Sequence, residues 1–123
     1  MEYDIIRSEL DCGVGWSDDR RREAVMGMLA MVSERLWQEA DDGIALAERR
    51  RDGELLITIP YRKSEVSIRI VGQWSECSGV FEFRICSEYD YSVVVIRRPY
   101  FIEDVVQLAL MAADRVADMA VGR

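Results

Sequence analysis

Histidine is missing from the 123 residues. Its absence removes the usual general base, the Ser–His and Cys–His nucleophile pairs and the commonest metal ligand. Cysteine is scarce. Cys12, Cys77 and Cys86 are odd in number and follow no metal-ligand spacing, so they read as reduced thiols of a reducing compartment. Proline occurs only at 60 and 99, and no Gly/Ser/Pro-rich linker, repeat or low-complexity stretch divides the chain. One domain over residues 1–123 is expected, with 1–16 as a loose acidic N-terminal segment. No run approaches the ~20 apolar residues of a membrane-spanning helix. The opening Met1-Glu2-Tyr3-Asp4 lacks the basic stretch of a secretory signal, so a cytoplasmic protein with no membrane contact is expected.

Charge is present and unevenly placed. The formal net charge is −7. Glu2, Asp4, Glu9, Asp11, Asp18 and Asp19 face only Arg7 within the first nineteen residues, a local balance of −5. Phosphate binding needs a basic footprint, so direct nucleic-acid binding is disfavoured. Glu2, Asp4, Glu9 and Asp11 instead form a candidate contact for a basic protein surface. Of the sixteen basic residues only Lys63 is lysine.

Two segments have helical periodicity. Ser17 is a fitting N-cap, followed by Asp18 and Asp19 at the positive end of the dipole. Val25, Met28, Leu29, Val32 and Leu36 then form one apolar stripe. A second helix is expected from about Ile102 to Ala120, with the stripe Ile102, Val105, Ala109, Ala112, Val116 and Met119 or Ala120. Ala109, Ala113 and Ala117 recur every four residues beside it. Such a ridge of small side chains suits close approach of another backbone, and a homodimer through this helix or an open sheet face is expected.

Between the helices lie alternating runs. Residues 44–49 fit either a strand or a continuation of the first helix. Arg51-Asp52-Gly53-Glu54 is an Asp-Gly hairpin signal. The runs 55–59, 65–71, 80–86 and 91–96 follow at spacings too short for parallel crossovers. The fold class is therefore α+β: a helix, a four- or five-stranded antiparallel meander and a helix, with both helices on one face. Alternation assigns Leu55, Ile57, Ile59, Val66, Ile68, Ile70, Phe81, Phe83, Ile85, Tyr91, Val93 and Val95 to the covered face. It leaves Leu56, Arg69, Val71, Glu82, Arg84, Val94 and Ile96 on the open face. Arg69, Glu82 and Arg84 are placed to pair across strands. Several apolar residues on one wet face make it a candidate protein-contact surface. Element order and charge alone resemble the small acidic secretion chaperones. The helix those proteins carry within the sheet has no room between Trp74 and Val80, so no family and no site residue is carried over.

Catalytic candidates are weak. Asp41-Asp42, Glu88 with Asp90, and Glu103-Asp104 stand at turns or helix starts, where acids serve structure. Cys77 neighbours Glu76, which opposes thiolate formation. Gly13-Val14-Gly15 precedes a helix but lacks both a preceding strand and a third glycine. Arg20-Arg21-Arg22 opposes the dipole of the helix it opens, while Arg49–Arg51 and Arg97-Arg98 read as solvated charge. No catalytic residue, cofactor or metal is assigned. The expectation is a non-enzymatic, acidic protein-binding module of an inhibitor, immunity or anti-defence, or chaperone-like kind. The alternative is a small-molecule-binding or catalytic domain with a pocket between sheet and helices, near Met26, Met28, Met31, Trp37 and the alanines.

Overall fold

The computed structural model describes residues 13–39, 47–51, 53–62, 64–87, 91–96 and 102–121. Helix α1 (Asp18–Glu39) is followed by strands β1 (Ala47–Arg51), β2 (Glu54–Tyr61), β3 (Ser64–Ser75), β4 (Val80–Cys86) and β5 (Tyr91–Ile96), then by helix α2 (Ile102–Val121). The strands pair antiparallel in chain order, β1-β2-β3-β4-β5. The α+β meander is thus five-stranded. Of residues 44–49, the last three belong to β1.

Ser17 caps α1: its Oγ accepts from the Arg20 backbone N–H at 3.2 Å and its carbonyl from Arg21 at 3.0 Å. Gly53 adopts φ +74° in the two-residue β1–β2 turn, which only glycine accepts freely. Its carbonyl takes the Gly72 N–H at 2.8 Å, tying this turn to β3. The β2–β3 turn carries Arg62 at φ +49°. The Arg62 guanidinium reaches Asp114 at 3.2 Å and Asp118 at 3.0 Å, one helical turn apart on α2. The hydrogen bond to Asp114, aided by the charge of Asp118, raises its pKa further above the physiological range.

Both helices cover the same sheet face and share one core. From α1 come Val25, Leu29, Val32 and Leu36, and from the sheet Leu55, Ile57, Val66, Ile68, Ile70, Phe81, Phe83 and Ile85. From α2 come Ile102, Val105, Val106, Ala109, Ala112, Ala113, Val116 and Ala117. Fully burying one large apolar side chain stabilises by about 1.5–3 kcal/mol, and burial on this scale explains why two helices hold to one face. Arg35 of α1 also pairs with Glu103 of α2.

Three expectations are corrected. The register pairs Phe81 with Ile96, Phe83 with Val94 and Ile85 with Ser92. Directly paired residues share a face, so Val94 and Ile96 belong to the helix-covered side, and Tyr91, Val93 and Val95 to the open side. Ala109, Ala113 and Ala117 are buried within the chain's own core, so the alanine ridge is no exposed dimer surface. Its small side chains let α2 lie close to the sheet. Met31 and Trp37, expected beside an internal pocket, are exposed, as is Met119 on α2.

The sheet's one-sidedness predicts unequal costs at adjacent positions. Ile68 is fully buried and Arg69 exposed. Ile68→Ala should destabilise by about 2–5 kcal/mol in urea unfolding, and Arg69→Ala by less than about 1 kcal/mol. Gly72 predicts a third effect. A Cβ there would stand 2.7 Å from Phe83 Cε1 and 2.8 Å from Val25 Cγ1. Gly72→Ala should therefore cost about 1–3 kcal/mol by overpacking, despite alanine's better backbone entropy.

Candidate functional site

The face left uncovered by the helices is ordered into rows by the strand register. One row runs Arg49, Leu56, Arg69, Cys86, Tyr91, and the next Arg51, Glu54, Val71, Arg84, Val93. A third sets Gln73, Glu82 and Val95 side by side. Across β2–β5 the first two rows therefore set apolar positions beside arginines: Leu56 beside Arg69, and Arg84 between Val71 and Val93. Leu56 and Val71 are half-buried and Arg69 and Arg84 exposed. Arg69 extends diagonally to Glu54 at 2.8 Å, flanking Leu56 and Val71. The expected pairing of Arg69 with Glu82 gives way to this contact with β2. The Thr58 and Ser67 hydroxyls lie 2.8 Å apart on the same face.

Five of the seven residues expected to form this face, Leu56, Arg69, Val71, Glu82 and Arg84, are placed on it together. Val94 and Ile96 are not, and Tyr91, Val93 and Val95 replace them. Glu2, Asp4, Glu9 and Asp11 lie outside the described residues. So do Cys12, Asp41-Asp42, Glu88, Asp90 and Arg97-Arg98.

The arginine run at the start of α1 has an intramolecular use. Arg20 stacks over the Trp16 ring at 4.0 Å and Arg21 over Trp74 at 4.1 Å. Arg21 Nε also donates to the Gly13 carbonyl at 3.1 Å. Trp74 meets Phe81 edge-on at 4.9 Å, and Trp16 lies 6.1 Å from the same ring. A Cβ on Gly13, at φ +96°, would stand 2.6 Å from both Phe81 and Trp74. The Gly13–Gly15 turn is thus an aromatic-packed entry to α1 and no phosphate loop. The cost of arginine near a helix N-terminus, at most about 1 kcal/mol, is offset by cation–π stacking of similar size.

Beside this cluster a cleft of about 350 Å³ opens where α1 crosses the β1–β2 turn and the end of β3. Asp18 and Glu76 balance Arg21 and Arg22 on its walls, with Trp74 and Gln73 between them. Arg21 is already engaged by Trp74 and Gly13, so the cleft offers no charge of one sign. Val25, Leu29, Val32, Leu36 and the buried alanines lie beneath the helices, where the alternative reading expected a ligand pocket; the cleft stands at the α1 end of that region. Cys77 is exposed in the β3–β4 turn and Cys86 half-buried. Among the described residues no three Cys, Asp or Glu side chains group as metal ligands, and no helix is long and apolar enough to cross a membrane. No family model, curated protein or solved structure matches the chain.

The stacked arginines predict unequal effects. Arg21 is largely shielded, with 18% of its side chain exposed. Arg21→Met should lose a cation–π contact and a hydrogen bond, about 1–2 kcal/mol in denaturant unfolding. Arg20→Met, at an exposed site, should cost about half as much.

Proposed function

We propose that this protein is a non-enzymatic binding module that engages another protein through its open sheet face. The observation that carries the reading is the composition of that face. Leu56, Val71 and the register positions Tyr91, Val93 and Val95 alternate with Arg69, Glu82 and Arg84. Partial apolar exposure interleaved with arginine is the mixture that protein interfaces favour. On the central strands of the face Arg69 and Arg84 are matched by Glu54 and Glu82, a balance that does not suit a phosphate backbone. The acidic residues 2–11 supply long-range attraction for a partner with a basic surface, while the sheet face supplies short-range fit. An inhibitor, an immunity or anti-defence protein and a chaperone-like carrier all act in this way.

The test is capture of stoichiometric partners from a cell extract, repeated with face variants of unchanged circular dichroism. Leu56→Lys combined with Arg84→Glu should abolish capture of the partner held by the unaltered protein. Retention at unaltered level would overturn the face assignment. Deleting residues 1–12 should move the melting temperature by only a few degrees. It should slow association most at low salt, because exposed charges are screened over ~8–10 Å at physiological ionic strength.

A further inference from the structure

The two edges of the sheet differ sharply in chemistry. The β1 edge reads Ala47-Glu48-Arg49-Arg50-Arg51, and the β5 edge Tyr91-Ser92-Val93-Val94-Val95-Ile96, with neither charge nor proline. Among the described residues β5 pairs on one side only, with β4. An edge strand presents unpaired backbone N–H and C=O groups, and natural sheets protect such edges with charge, proline or a bulge. The arginines of β1 provide that protection. Nothing in the composition of β5 does.

We infer that β5 is the self-association edge of this protein, pairing antiparallel with β5 of a second copy about a two-fold axis to make one continuous ten-stranded sheet. Two considerations select a second copy over other occupants. First, an isologous pairing closes at two subunits, whereas joining β5 to the β1 edge of another copy is heterologous and leads to a larger ring or an open filament. Pairing β1 with itself would set arginines against arginines. Second, the sequence around β5 is self-complementary in charge. Glu88 and Asp90 precede the strand and Arg97 and Arg98 follow it. Antiparallel pairing brings the acidic end of one copy to the basic end of the other at both ends of the seam, an arrangement that also rejects the parallel alternative. Such a dimer leaves the alanine ridge of α2 in its own core and adds to the open face without covering it.

Sedimentation velocity of the full chain from about 1 to about 100 μM reads the proposal, with a dimer of twice 14.2 kDa expected. Val93→Glu and Val95→Lys place a charge on the edge while facing Arg84 and Glu82, their own cross-strand neighbours on β4. Each substitution is therefore compatible with the fold. Each should weaken dimerisation at least about tenfold. Amide hydrogen exchange in residues 91–96 should slow in the unaltered protein as concentration rises, an observation that needs no variant. A monomer throughout this range overturns the inference. So does a dimer that both edge variants leave unchanged, or that Leu56→Lys alone disrupts, since that contact would lie on the sheet face. Partner capture by the edge variants distinguishes this result from a failure of the proposed function.

Discussion

Everything in this domain depends on how closely α2 can approach the sheet. Ala109, Ala112, Ala113 and Ala117 are buried on the helix, and none holds its backbone away from the strands. The larger volumes come from the sheet side, where Phe81, Phe83, Ile68 and Ile70 are fully buried. Large against small is how facing layers reach interior packing density. The same constraint recurs at α1, where Gly72 leaves Phe83 and Val25 the space that a Cβ would take. Both helices consequently fit on one face, and the other face carries neither of them.

One-sided burial also explains where the polar interactions lie. Two groups of ion pairs join elements across the outside of the domain: Arg62 to Asp114 and Asp118, and Arg35 to Glu103. Exposed pairs of this kind contribute little each, about 0–1 kcal/mol, but they favour one helix position over its neighbours. Arg21 differs because its guanidinium lies against Trp74 and donates to the Gly13 carbonyl. It fixes the entry of the chain into α1, and with it the phase of the Val25, Leu29, Val32, Leu36 stripe.

Much of this was legible in the residues. Period two in 65–71 and period 3.6 in 25–36 each have a single apolar phase, so their buried faces followed directly. Asp52-Gly53 fixed the first hairpin because few other dipeptides accept its backbone. β5 was not legible in the same way. Five of its six residues are apolar or aromatic, so both phases satisfy alternation. The phase is set instead by pairing across a four-residue connection to β4, which brings Val94 opposite Phe83. That reversal took Val94 and Ile96 from the candidate face and gave it Tyr91, Val93 and Val95.

The alanine ridge failed as a surface for a related reason. A four-residue spacing of small side chains says that something packs closely, and it is silent on whether that neighbour belongs to the same chain. The helical stripe and the ridge are adjacent arcs of one cylinder, and a helix lying between a sheet and a second helix buries both. Exposure is a property of the assembled layers, whereas edge chemistry is local. Among the described residues β5 is a margin of the sheet, and its six uncharged residues supply no protecting charge whichever phase they adopt, because pairing at an edge uses the backbone and not the side-chain face. The open face depends on the phase of β5, and the edge does not. The proposed contact face and the proposed pairing edge therefore rest on different properties of β5, the first on its phase and the second on its composition.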